Sequence, residues 1–518
     1  MKRTQFMRSL TAPLSALIMA LFTLMPTIAS AQEVADTSID EQINQIFAPL
    51  SSAFANIIFY SVEVNGTSFP LIVGWLFLAA IVFTLYFGFL QVRAFGHAVD
   101  LVRGKYDVNP NDPGQISHFQ ALATALSGTV GLGNIAGVAV AVSIGGAGAT
   151  FWMVLAGFFG MATKFTECTL GVKYRREFED GHVSGGPMYY LSKGLAERGL
   201  GGLGRVLAVA FAFCCILGSL GGGNMFQANQ SFTQVYNITG GASGPLADGG
   251  WIFGVVLALI VAAVIIGGIR SIASVTSKIV PFMLLIYVIT ALVIVMMNYD
   301  KIGWAFGQII DGAFTAEGVT GGAIGAIIQG LKRATFSNEA GIGSAAIAHS
   351  AVRTKEPITE GLVSLLEPFI DTVVVCTLTA LVIVLSGQLV VGQAIEGVTL
   401  TSNAFAANVS WFPYVLSVAV VLFAFSTMIS WSYYGLKAWT YLFGESTISE
   451  LTFKLIFCIA VVVGAAMNLK SVIDFTDATL FAMGIFNIIG LYLLAPVVKR
   501  ELHSYMARLK SGEIRPIK

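Results

Sequence analysis

The sequence predicts an all-α polytopic membrane protein with about eleven transmembrane helices. Three observations carry this: an apolar composition, apolar runs of bilayer length, and basic residues gathered in alternate loops. Of 518 residues, 56% are hydrophobic and 11% are charged, and the mean hydropathy is +0.79. Soluble domains carry about 25% charged residues, so a chain of this kind has too little polar surface to cover a water-soluble fold. Lipid must be its solvent.

A bilayer core needs about 20 apolar residues per helix. Runs of that kind centre on 71–91, 118–144, 150–172, 204–234, 251–268, 279–298, 320–349, 360–386, 412–439, 452–469 and 477–497. Several exceed the minimum, which leaves room for tilt or interruption. Loops between them are short and hold no soluble catalytic domain. In the longest basic loop, Gly185-Gly186-Pro187 makes a turn.

Basic residues set the orientation. One alternation puts Arg93, Arg103 and Lys105 on the same side as Lys173, Arg175, Arg176, Lys193 and Arg198. Arg270 and Lys278, Arg353 and Lys355, Lys437, and the tail from Lys499 to Lys518 fall there too, while the opposite loops hold only Lys301 and Lys470. That side is read as the cytoplasm of a bacterial cell, with the C-terminus inside and the chain in the inner membrane. At the N-terminus Lys2, Arg3 and Arg8 precede the apolar Leu14–Met25, followed by Ala29-Ser30-Ala31. This is a signal-peptide pattern. The expected organisation is a signal at 1–31, a periplasmic segment at 32–69, a membrane domain at 70–500 and a cytoplasmic tail at 501–518.

Other function classes find little support. Lys plus Arg and Asp plus Glu each number 29, so no basic surface is available for nucleic acid. Cys168, Cys214, Cys215, Cys376 and Cys458 all lie in apolar stretches and read as small, polarizable packing residues. No Cys/His spacing suggests a metal, and the five histidines are dispersed. An intramembrane enzyme would need a nucleophile–base pair, and none is evident. A channel would more naturally show a repeated carbonyl or acidic ring.

Chemistry concentrates in two glycine-rich, polar interruptions. The first runs from Ser127 through Gly128-Thr129-Val130-Gly131-Leu132-Gly133-Asn134 to Gly137; the second is Thr335-Phe336-Ser337-Asn338-Glu339-Ala340-Gly341-Ile342-Gly343-Ser344. Glycine tolerates non-helical dihedrals, and unwound backbone survives in lipid only where it is buried in protein or lines a cavity. With the first run set aside, the interruptions open two sets of five helices, about 117–298 and 318–498. Corresponding broken helices in two halves point to the binding site of a secondary transporter. A half-helix starting near Gly133 offers free N–H groups and a positive dipole end to a carboxylate. The half-helix ending before Gly131 leaves carbonyls for an ammonium group or Na⁺, a hard cation that prefers oxygen.

Hydroxyls are at hand in Phe423-Ala424-Phe425-Ser426-Thr427 and Trp431-Ser432-Tyr433-Tyr434-Gly435, and amides in Gly221-Gly222-Gly223-Asn224-Met225-Phe226-Gln227-Ala228-Asn229. Lys164 and Glu167 stand three apart on one helical face and read as an internally compensated pair. Lys332 and Arg333 precede the second interruption; if buried, they need a carboxylate or carbonyl partner.

These stretches together resemble the signature blocks of the alanine or glycine:cation symporter family (sodium:alanine symporters), over a region from the first membrane helix to the last. The resemblance implies a LeuT-like fold of five plus five inverted helices with one extra N-terminal helix. It also implies Na⁺-coupled uptake of small neutral amino acids such as alanine or glycine, with Na⁺ as coupling ion and no organic cofactor. On this resemblance Ser127, Val130 and Phe423 offer carbonyls to Na⁺, and the hydroxyls of Ser426 and Thr427 complete the shell. Gly131, Leu132, Gly133 and Asn134 hold the substrate carboxylate, Phe336, Ser337 and Asn338 face its amine and methyl, and Gln227 forms a polar wall. Glu339 leaves proton coupling open, since a carboxylate there could titrate. Which small amino acid is carried depends on pocket volume. No protein partner is implied.

Overall fold

A computed structural model describes residues 39–64, 66–106, 112–179, 181–315, 322–392 and 397–516. The expected signal at 1–31 lies outside the described residues. The described chain is almost wholly helical. The exceptions include a small hairpin, β1 (Ser61–Val64) with β2 (Thr67–Pro70), between the amphipathic helix α1 (Ile39–Ile58) and the apolar helix α2 (Leu71–Tyr86).

Each of the eleven apolar runs forms helix, but they differ in kind. Among the described residues six helices are long and apolar enough to cross a membrane, and a seventh span joins α3 (His118–Thr129) to α4 (Gly133–Gly145) across a bend of 49°. The six are α6 (Gly201–Ile238), α8 (Gly268–Met297), α12 (Pro357–Ser386), α14 (Phe412–Phe443), α15 (Thr447–Ala466) and α16 (Leu469–Ser511). Among the remaining runs, α2 and α7 (Gly250–Ile265) are shorter apolar helices. The helix α5 (Ala149–Lys173) carries Lys164 and Glu167 in its buried stretch, and α10 (Gly322–Asn338) stops at the second interruption. Between the runs lie, among others, the shorter helices α9 (Ile302–Phe314) and α13 (Val398–Asn408). After α10 the chain resumes as the short α11 (Ala345–His349).

Lipid as solvent explains the outer surface. Leu259 on α7, Leu285 on α8 and Leu455 on α15 are all more than half exposed, as apolar side chains can be where the surroundings are acyl chains. Charge is handled the other way, with Lys164, Arg333, Glu360, Glu367, Asp371 and Asp477 all buried inside the protein.

Packing divides around the breaks. Helix α3 leans on α8 and α14, whereas α4 leans on α10. Helix α5 packs against α10, α11 and α12, and α6 packs against α14 and α16. The chain thus changes neighbours at the α3/α4 break, which places unwound backbone in the middle of the protein, where lipid cannot reach it.

Candidate functional site

The first break is built by its own sequence. Helix α3 starts from a capping box, Ser117 with Gln120, and ends at Thr129 as Val130 leaves helical geometry (φ −75°, ψ 83°). The N–H of Gly131, which would have continued the helix to the Ser127 carbonyl, instead donates to the Thr129 carbonyl at 2.9 Å and to Asn134 Oδ1 at 2.9 Å. The released Ser127 carbonyl accepts the Thr427 hydroxyl at 2.9 Å. Ser127 Oγ donates to the Ser426 carbonyl at 2.5 Å, and Ser426 Oγ donates to the Phe423 carbonyl at 3.0 Å. Oxygen atoms of Ser127, Phe423, Ser426 and Thr427 are thereby gathered, from residues about 300 apart in sequence. Such a donor set suits a hard monovalent cation. Val130 is the residue at which α3 ends, next to this cluster in sequence. Gly131 has no room for a side chain, because a Cβ there would overlap Thr427 Oγ1 and stand 3.1 Å from Gln227 Oε1.

Gln227 ties this break to α6. Its Oε1 accepts from Leu132 N–H at 3.1 Å, and its Nε2 donates to the Gly222 carbonyl at 2.9 Å. Both flanking segments, Gly133–Gly137 and Gly221–Met225, are wide π-type turns, a distortion that frequently marks functional sites.

The second break follows Asn338. Glu339 sits in the left-handed region (φ 57°), as do Gly341 (φ 90°) and Gly343 (φ 92°). Asn338 Nδ2 donates to Thr372 Oγ1 at 3.0 Å, and Ser337 Oγ donates to both oxygens of Asp371, at 3.1 and 2.9 Å. Asn134 Nδ2 reaches the same carboxylate at 2.6 Å. Asp371 therefore joins the two breaks, through the hydroxyl of one and the amide of the other. Sequence reading missed it. The available signal was an acid inside an apolar run, Phe369-Ile370-Asp371-Thr372, where lipid would penalise it. It sits in a third wide turn, Phe369–Cys376.

Between the breaks lies a narrow cavity lined by Gly128, Gly133, Gln227, Phe336, Glu339 and Trp431 among others, about 10 Å³ in water-centre volume, roughly what one water needs. The Phe336 ring covers Gly133 and meets Phe226 edge-on at 5.1 Å. Of the residues expected at the substrate, Gly133, Gln227 and Phe336 line this cavity. Leu132, Asn134 and Ser337 stand behind it in the hydrogen bonds just described. Asn338 holds the second break open by also accepting from Ala340 N–H at 2.9 Å.

Of two sequence expectations about charge, the first is revised and the second is met. Lys164 pairs with Glu367 at 3.3 Å, while Glu167 accepts from Asn487 Nδ2 at 2.7 Å; the internally compensated pair of α5 is instead satisfied by α12 and α16. Lys332 and Arg333 find their carboxylate in Asp477, with Lys332 at 2.9 Å and Arg333 closer still. Histidines dispersed in sequence also converge: His118 and His349 share Glu360, and His349 further bonds Glu367. Cys168, His349 and Glu367 place possible ligand atoms within 4.8 Å of one another. Glu367 is already engaged by Lys164 and His349, so this cluster reads as charge compensation.

Broken helices around an internal cavity, with polar backbone ends directed inward, define a secondary transporter of the LeuT-like class. The solved structure of MhsT in complex with L-phenylalanine shares this fold, with a TM-score of 0.55 at 14% identity over 76% of this chain and 99% of that one. A profile of the sodium:alanine symporter family matches residues 52–518, and the chain belongs to that family. It is a transporter and not an enzyme. Among its relatives, the sodium/alanine symporter AgcS of Methanococcus maripaludis is 43% identical over 82% of this chain and 91% of its own length. The amino-acid carrier protein AlsT of Bacillus subtilis is 34% identical over 83% and 88%. The probable sodium/glutamine symporter GlnT of Bacillus subtilis is 31% identical over 84% and 87%.

Proposed function

We propose that this protein imports small neutral amino acids, alanine or glycine, in symport with Na⁺ across the bacterial inner membrane. The observation that carries this reading is the pairing of an oxygen cluster with a cavity at one unwound backbone segment, residues 130–132. The carbonyls of Ser127, Val130 and Phe423 and the hydroxyls of Ser426 and Thr427 bind Na⁺. Gly131, Leu132, Gly133 and Asn134 receive the substrate carboxylate, and Gln227, Phe336, Ser337 and Asn338 frame the rest of the molecule. Relatives named for alanine and for glutamine differ in substrate size. Phe336 and Trp431 both line the cavity and are the large side chains placed to limit substrate size.

The same reading assigns eleven spans: α2 as the extra helix, then five from 117–298 and five from 318–498 in inverted arrangement. Residues 32–69 face the periplasm and 501–518 the cytoplasm, after a signal at 1–31. Transport follows by alternating access, one set of helices rocking against the other. Coupling requires that Na⁺ and substrate bind the outward and inward states with different affinity, since equal binding shifts no population.

Alanine uptake into proteoliposomes should accordingly require an imposed sodium gradient. Uptake undiminished when choline replaces sodium at constant pH would refute the coupling.

A further inference from the structure

A zwitterion and a sodium ion bring two positive charges and one negative charge into the protein. The start of α4 offers its positive end to the carboxylate, which leaves the ammonium without an anionic partner among the residues assigned so far. Among the described residues six carboxylates are at most 2% exposed: Glu167, Glu339, Glu360, Glu367, Asp371 and Asp477. Three have basic partners, namely Asp477 with Lys332 and Arg333, Glu367 with Lys164 and His349, and Glu360 with His118 and His349. Among the described residues the other three receive hydrogen bonds from neutral donors only. Glu167 accepts from Asn487, Asp371 from Asn134, Ser337 and Thr372, and Glu339 from Trp431 and Ser344. Of these three, only Glu339 lines the cavity. Lys164, paired with Glu367, reaches Glu339 only through longer-range attraction; a buried carboxylate with no cation in direct contact is costly, and inside a membrane it marks a functional position.

The backbone singles out the same residue. Among the described residues Glu339 is one of two non-glycine positions with positive φ, a conformation that persists where the surroundings enforce it and that clusters at functional sites. Trp431 Nε1 holds one carboxylate oxygen at 2.9 Å, and the Ser344 hydroxyl holds the other. A carboxylate has about four acceptor positions, so capacity remains for an ammonium group. Phe336 and Trp431 line the same cavity beside it.

We propose that Glu339 is the counter-ion of the substrate's ammonium group, so that the protein demands a protonated amine and rejects the same acid bearing a hydroxyl in its place. This inference rests on the amino-acid symport proposed above. The test is calorimetric binding of L-alanine and L-lactate to purified protein in sodium, with wild type, Glu339→Gln and Glu339→Asp, alongside the sodium-induced rise in melting temperature.

The wild type should prefer alanine over lactate by about 100-fold or more. Glu339→Gln should weaken alanine binding by about 30-fold or more and shrink that preference, with its sodium-induced thermal shift intact. Glu339→Asp should keep the preference. Glu339→Gln binding alanine within threefold of wild type, or losing both ligands in equal proportion, overturns the assignment. If Glu339→Gln does not fold, the other arms decide: wild-type protein that binds lactate as well as alanine, or Glu339→Asp that loses the preference, overturns it. Wild-type protein that binds no amino acid in sodium removes the symport reading itself, and this inference with it.

Discussion

At the scale of single residues, the site works by diverting hydrogen bonds. Losing the Gly131 N–H frees the Ser127 carbonyl, and Thr427 takes it up at 2.9 Å. Thr427→Ala deletes a hydroxyl while sparing the helix, so the half-saturating sodium concentration should rise by about tenfold, the worth of roughly one hydrogen bond. Uptake measured against sodium concentration checks this, and an unchanged value removes Thr427 from the ion site. Asn134 has a different task. Its Oδ1 accepts from Gly131 N–H at 2.9 Å and its Nδ2 binds Asp371 at 2.6 Å, so it fixes the shape of one break and its distance from the other. Asn134→Ala should abolish alanine uptake while membrane insertion, judged by fractionation, stays intact. Asn134 stood out in the sequence as an amide inside a lipid-length run. Asp371, 237 residues further on, did not stand out as its partner, because nothing local connects them.

At the scale of elements, glycine decides where helices can touch. A Cβ on Gly223 would overlap the Trp431 ring, the ring whose indole N–H holds Glu339. Gly223→Ala should therefore cut uptake at least tenfold through displacement of Trp431. Gly202→Ala, where a Cβ meets nothing within 4 Å, should leave uptake unchanged and add up to about 1 kcal/mol of helix stability. Comparing uptake and melting temperature of the two variants separates packing at the site from helix propensity. Wide turns at Gly133–Gly137, Gly221–Met225 and Phe369–Cys376 all border the site. Glycine marks the first two in the sequence. The third carries no glycine, and a π-type turn has no compositional signature to betray it.

At the scale of the whole molecule, buried ion pairs join helices far apart in the chain, between its halves as Lys164 with Glu367 and within one of them. Lys332 and Arg333 on α10 are held by Asp477 on α16. Asp477→Asn leaves two cations without a carboxylate, and removing one partner of a buried pair costs about 3–5 kcal/mol. Its melting temperature in detergent should fall clearly below that of wild type. Replacing Arg333 and Asp477 together by apolar residues of similar volume should recover much of the loss, and failure to recover would mean that the pair acts through more than charge.

The sequence alone determined membrane residence, the positions of the apolar runs, both interruptions and the hydroxyls of α14. These follow from hydropathy and backbone freedom, which are properties of short stretches. Tertiary structure alone decided who compensates whom: Glu367 for Lys164, Asp477 for Arg333, Asp371 between the breaks, and Trp431 against Glu339. A charge taken out of water must be met by whichever group packing brings within a few ångströms, and that contact depends on segments from 92 to 237 residues apart.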